Sequence, residues 1–120
     1  MDFINDTPIY VQIMDKIKSD IITGKLQKGD KLMSTRELAV ALKVNPNTVQ
    51  RVFKELENES ICFTKRGMGT FVSEDDQTIE QLKTQLAKEK ITQFIASMKA
   101  LNLGIDDIIK KIKAYEEGNL

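Results

Sequence analysis

A proline at position 46 governs what the middle of this chain can become. The residue before a proline is pushed out of the helical region, so Val44-Asn45-Pro46 must end any helix that precedes it. Pro46 then suits the first position of a new helix, where its missing N–H costs nothing. Upstream, Ser34 followed three residues later by Glu37 reads as a capping box, and Leu38, Ala39 and Leu42 continue it as a short amphipathic stretch. A helix confined between Ser34 and the break has about nine residues. Downstream, Val49, Val52, Phe53 and Leu56 recur at three and four, leaving Asn47, Thr48, Gln50, Arg51 and Lys54 elsewhere on the cylinder. The spacing predicts two short helices joined by a tight break, the second with a polar and basic outer face.

The flanks extend this unit. Thr7 reads as an N-cap and Pro8 as the first position of an earlier helix, whose Ile9, Ile13, Ile17 and Ile21 recur every fourth residue until Gly24 stops it. Gly24 and Gly29 bracket Leu26 in a tight connection, where Leu26 and Leu32 anchor a loop in the core. From Ile61 to Val72 the texture becomes β-rich, Ile61 to Thr64 and Thr70 to Val72, around the turn Lys65-Arg66-Gly67-Met68-Gly69. An isolated hairpin is marginal, so this one must pack on the helices. After the polar boundary Asp75-Asp76-Gln77-Thr78, a long stripe runs through Ile79, Leu82, Leu86, Ile91, Phe94, Ile95, Met98 and Leu101. Asn102 and Gly104 end it, and Asp106 can cap a last helix bearing Ile105, Ile108, Ile109, Ile112 and Tyr115. The expected class is mainly α with a small β-hairpin. Residues 1–75 form a unit of helices plus hairpin, and 76–120 a two-helix hairpin.

Composition excludes several functions. His is absent and Cys occurs once, at Cys62, which removes His-based triads and zinc sites built from His or several Cys. There is no phosphate-binding Gly-Lys-Ser/Thr loop. The residues ask for no catalytic site, no metal and no cofactor. Met1-Asp2-Phe3-Ile4-Asn5-Asp6 has neither a basic flank nor an apolar stretch, and a lone thiol forms no internal disulfide, so the cytoplasm is the expected address. No apolar run approaches the ~20 residues of a bilayer span, so no membrane partner is expected. Eighteen Lys plus Arg against eighteen Asp plus Glu argues against a blanket polycation. The average hides a basic window: between Lys31 and Lys54 stand Lys31, Arg36, Lys43, Arg51 and Lys54 against Glu37 alone, a net of +4.

Two short helices with a tight break and a trailing hairpin with a basic tip make a winged helix-turn-helix. The major groove admits one helix, read by side chains near its N-terminus. Asn45, Asn47, Thr48, Gln50 and Arg51, at the helix that Pro46 opens, are the residue types that face base edges and phosphates there. Arg51 and Lys54 suit phosphate contact. Lys65, Arg66, Gly67 and Gly69 give a wing tip its cations and its pliant backbone. Arg36 lies in the first turn of the preceding helix, within reach of a phosphate.

The linked pattern Gly24-x-Leu26-x-x-Gly29-x-x-Leu32-x-Ser34-x-Arg36-Glu37-Leu38-Ala39, Leu42-x-Val44-Asn45-Pro46-Asn47-Thr48-Val49, Leu56-Glu57 and Arg66-Gly67-x-Gly69-Thr70-Phe71-Val72 closely resembles the GntR family of bacterial transcription regulators. The resemblance covers roughly Pro8 to Val72. The Asn-Pro-Asn-Thr-Val signature and short helical C-terminal region are similar to the YtrA-like subfamily, typically dimeric repressors. It implies DNA contacts at Arg36, at Asn45, Asn47, Thr48 and Gln50, and at Arg66 and Gly67. The chain departs from the family at Met33, where proline is usual, and at Ser60, where glycine commonly ends the recognition helix. If Ser60 is left-handed, its side chain costs ~1 kcal/mol.

A single helix-turn-helix reads few base pairs, so such modules usually pair on a two-fold operator. Leu82, Leu86, Ile91, Phe94, Ile95, Met98, Ile105, Ile108, Ile109 and Ile112 are more large apolar side chains than a hairpin of about 45 residues buries alone. A second copy is the natural cover, making the tail a dimerisation region. Such a tail leaves little room for the usual pocket of roughly 300–1,000 Å³, so a small-molecule effector, of unreadable identity, is expected at the dimer interface or to be very small. The leading expectation is a homodimeric repressor binding a palindromic double-stranded DNA operator. The alternative is a winged-helix protein-interaction module that reads no DNA.

Overall fold

The computed structural model describes residues 1–120, in which α1 (Ile9–Ile22), α2 (Thr35–Leu42), α3 (Pro46–Asn58), β1 (Cys62–Lys65), β2 (Gly69–Val72), α4 (Asp76–Lys99) and α5 (Ile105–Glu116) follow in order. They form two compact units, Met1–Lys83 and Thr84–Leu120. The first unit retains the opening turns of α4, beyond the expected boundary between 75 and 76.

Helix α1 buries Ile13, Met14, Ile17 and Ile21, the four-residue period of its sequence. Its N-terminus departs from expectation. Pro8, with ψ 141°, is the N-cap, and no side chain caps the helix. The Gln12 amide takes over: its Nε2 donates to the carbonyls of Ile4 (2.9 Å) and Thr7 (2.7 Å), and its Oε1 accepts from the Ile4 N–H (3.0 Å). This clamp fixes the entering chain, so the Thr7 hydroxyl has no capping role.

Helix α2 starts on the expected capping box. The Glu37 N–H donates to Ser34 Oγ and the Ser34 N–H to Glu37 Oε1, both at 3.1 Å. Hydrogen bonding from the Ser34 side chain first, then from its backbone N–H, stabilises the Glu37 carboxylate and holds its pKa below the ordinary value. The helix ends at Leu42. Lys43 is left-handed (φ 57°) as its N–H turns back to the Val40 carbonyl, and the Val44 N–H bonds that of Ala39. Asn45 caps α3, its Oδ1 accepting from the Asn47 N–H at 2.8 Å, and Pro46 occupies the first turn. Val49, Val52 and Leu56 are fully buried and Phe53 nearly so, which anchors α3 against α1 and α2. Ser60 closes the helix in the left-handed region (φ 61°).

The hairpin pairs Cys62 with Val72, Phe63 with Phe71, Thr64 with Thr70 and Lys65 with Gly69. Lys65 and Gly69 therefore belong to the strands, and the turn shrinks to Arg66, Gly67 and Met68, closed by the Met68 N–H on the Lys65 carbonyl (2.9 Å). Gly67 (φ +77°) is left-handed, as so short a turn requires. The loop before α2 adds a third edge to this sheet. The Gly29 N–H donates to Val72, that of Val72 to Asp30, and that of Leu32 to Thr70, with a bridge between Lys31 and Phe71. The marginal hairpin thus gains both a further backbone partner and a buried face at Ile61, Cys62 and Val72.

In the second unit Ile108 is buried. Helix α5 begins at Ile105, not after Asp106. Gly104 is its N-cap, and Asp107 accepts from the Gly104 N–H (3.3 Å), so the second of the paired aspartates serves the helix end.

Candidate nucleic-acid interface

On α3 the residues 49, 52, 53 and 56 form one stripe, and 47, 50, 51 and 54 form another with the same spacing, displaced by two residues. Two residues turn an α-helix by about 200°, so the stripes lie on opposite sides. The first is the core. The second, Asn47, Gln50, Arg51 and Lys54, is exposed along its whole length. Asn45 and Pro46 are also exposed at its head, and Thr48 is half-buried. The Asn45 side-chain oxygen accepts the capping bond, and no hydrogen bond within the chain engages its NH₂. Arg36 is exposed in the first turn of α2, and Lys65, Arg66 and Gly67 are exposed on the hairpin.

The cations of this surface carry no acid partners. The ion pairs are Lys16–Asp20 (2.9 Å), Lys18–Glu59 (3.1 Å) and Lys28–Asp76 (2.5 Å), none of which involves Arg36, Arg51, Lys54, Lys65 or Arg66. Of the acids that follow Lys54, Glu57 accepts a hydrogen bond from the Thr64 hydroxyl and Glu59 holds Lys18, while Glu55 forms no ion pair with any of these cations.

Aromatic rings support two of these cations instead. The Arg51 Cζ lies 3.6 Å from the centroid of the Tyr10 ring, on α1. Lys65 Nζ stands 5.6 Å from the Phe63 ring and 5.0 Å from that of Phe71, two rings stacked at 5.8 Å and 23°. Lys31 crosses the hairpin beside Gly69: a Cβ at Gly69 would fall 2.8 Å from Lys31 Cε. Sequence reasoning missed Tyr10 as part of this surface, because nothing local links it to Arg51.

Cys62 is buried, and desolvation first, then the charge of Glu57, pushes its thiol up to about 12. A thiolate, the reactive form, is scarce at neutral pH. No three His, Cys, Asp or Glu side chains are grouped to hold a metal ion. No helix is long and apolar enough to cross a membrane. A cavity of about 360 Å³ opens in the first unit beside Ile13, Ile17, Leu32, Leu38 and Leu42. Its volume is at the lower end of the range of small-molecule pockets, and it lies outside the tail to which the sequence reading confined its estimate of space.

Comparison with known proteins places these features. Residues 9–72 match the family described as bacterial regulatory proteins, gntR family. The regulator YhcF of Bacillus subtilis is 41% identical over 97% of this chain and 96% of its own length. The transcriptional repressor YtrA of the same organism is 39% identical over 95% of this chain and 91% of its own. Among solved structures, a GntR family transcriptional regulator from Listeria monocytogenes superposes with a TM-score of 0.86 at 44% identity, covering 92% of this chain and 97% of that one.

Proposed function

The chain belongs to the GntR family of bacterial regulatory proteins, and we propose that within it this protein is a homodimeric repressor of a palindromic operator. The family is one of transcriptional regulators, and the chain is not an enzyme. The observation that carries the proposal is the exposed stripe Asn47, Gln50, Arg51 and Lys54 on α3, flanked by cations that no acid neutralises. A duplex supplies what that surface lacks: phosphates for Arg36, Arg51, Lys54, Lys65 and Arg66, and base edges for Asn47, Gln50 and, at the margin, Asn45 and Thr48. Pro46 and Gly67 let backbone approach closely at the helix start and the wing. Repression is the role named for YtrA, which the chain resembles over nearly its whole length.

Residues 1–75 read the DNA and 76–120 pair the protomers. Supporting this, Ile91, Phe94, Ile105, Ile109 and Ile112 are each 40–56% exposed, and Leu86, Ile95 and Met98 are half-buried. Large aliphatics left this open favour an apolar cover, each worth up to ~1.5–3 kcal/mol when fully buried. Leu82 and Ile108 are already buried within the chain, so they are not part of the face left to be covered.

Selection of bound duplexes from a random pool, with sedimentation of the complex, tests the reading. The expected product is a two-fold sequence with half-sites one turn or a multiple apart, holding two copies. A chain that binds selected and random duplexes equally is no sequence-specific repressor.

A further inference from the structure

Arg51 has a fixed support but no neutralising partner. It makes no ion pair, and its guanidinium carbon rests 3.6 Å from the centre of the Tyr10 ring. At that distance the guanidinium lies against the ring. A guanidinium stacked on a ring keeps its in-plane N–H donors free for bidentate bonds to phosphate. Tyr10 is itself half-buried in the second position of α1, and α1 packs on α3, so the platform is set by the core and not by solvent. A carboxylate in Tyr10's place would hold Arg51 equally well but cancel its charge. A ring holds it and leaves the charge intact.

We propose that Tyr10 is a positioning residue for DNA binding, presenting Arg51 ready-ordered to a backbone phosphate. This rests on the reading above, that α3 faces the duplex. The gain is entropic: a long side chain already held in its bound geometry loses less freedom on association. The hairpin repeats the device at Lys65, over the stacked rings of Phe63 and Phe71.

The test is fluorescence anisotropy of the full chain with selected operator and with random duplex, for Tyr10→Phe, Tyr10→Leu, Arg51→Ala and the double variant Tyr10→Leu/Arg51→Ala. Tyr10→Phe keeps the ring and is expected to bind like the parent. Tyr10→Leu removes the ring and weakens binding to both duplexes by up to about five- to thirtyfold, the range of an exposed cation–π contact counted in two protomers. In the Arg51→Ala background the same change adds nothing, because nothing is left to position. A purely structural tyrosine predicts the opposite: Tyr10→Leu would cost the same with or without Arg51, and that result overturns the proposal. Equal affinity of Tyr10→Leu and parent overturns it as well. Arg36→Ala and Arg66→Ala run alongside. If they weaken binding while the Tyr10 and Arg51 variants do not, only this proposal falls. If all are silent, the DNA-facing reading falls with it.

Discussion

Replacing Arg66 by alanine isolates the electrostatic part of the proposed function. Arg66 is exposed in the hairpin turn and has no ion pair or hydrogen bond within the chain, so its removal leaves the fold untouched. The surface offers Arg36, Arg51, Lys54, Lys65 and Arg66 from each protomer, about ten phosphate contacts for a dimer, and each contact releases condensed counterions. With a slope of about −0.9 per contact, the logarithm of the association constant should fall against the logarithm of salt concentration with slope about −9. Arg66→Ala deletes two contacts per dimer and brings the slope to about −7. Between 50 and 200 mM salt, the parent then loses roughly 10⁵-fold in affinity and the variant roughly 10⁴-fold. Anisotropy titrations at four or more salt concentrations, with operator and random duplexes, measure both slopes. Circular dichroism melting confirms equal stability. An unchanged slope for the variant would remove the hairpin from the interface, and a parent slope shallower than about −4 would mean that most of these cations never meet phosphate.

Other perturbations separate reading from folding. Gln50→Ala should relax preference at one base position per half-site while leaving affinity for random DNA nearly unchanged, as selection with the variant would reveal; uniform weakening on every duplex contradicts a base-reading role. Ser60→Gly should stabilise the first unit by about 1 kcal/mol in urea unfolding, because Ser60 is left-handed and glycine takes that conformation without a Cβ penalty. A destabilised glycine variant would show that the serine side chain matters more than the strain. Cys62, buried with its thiol pushed up to about 12, should resist a thiol reagent at pH 8 in the folded protein and react promptly in denaturant. Rapid labelling of the native chain would mean that the hairpin opens freely.

How far the fold can be read from the chain depends on the range of the interaction that fixes each piece. The core stripe of α3 is periodic, so Val49, Val52, Phe53 and Leu56 announce their burial, and their opposite stripe announces its exposure. The Ser34–Glu37 box is local too, and both of its bonds form. The sequence leaves the conformation of Ser60 open, marked only by the glycine usual there in the family, and the structure places it in the left-handed region. What could not be read was settled by partners distant in sequence. Lys31 and its neighbours look like loop, flanked by glycine, yet β2 draws them into a third edge. Lys65 looks like turn, but pairing with Gly69 extends the strand through it. Thr7 is a good cap by type, and Gln12 displaced it by bonding the backbone that leads into α1. For the same reason nothing in the chain alone marks Tyr10 as part of this surface: its contact with Arg51 exists only once α1 and α3 have packed.

A net charge of zero does not count against DNA as a partner, because the charges are sorted in space. At physiological salt the screening length is ~8 Å, so a phosphate against α3 responds to cations within a side chain's reach and hardly to acids elsewhere on the chain. Of the acids close in sequence, Glu37 is held in the α2 cap, Glu57 bonds the Thr64 hydroxyl and Glu59 pairs with Lys18, and no acid forms an ion pair with the cations of this face. Arg36, Arg51, Lys54, Lys65 and Arg66 are left without ion pairs, and overall neutrality limits attraction to DNA in any other orientation. A uniformly basic chain of the same size would bind duplex by many faces. This arrangement confines the attraction to the face that carries Asn47 and Gln50, so phosphate contacts that hold no sequence information still bring the base-reading amides to the groove.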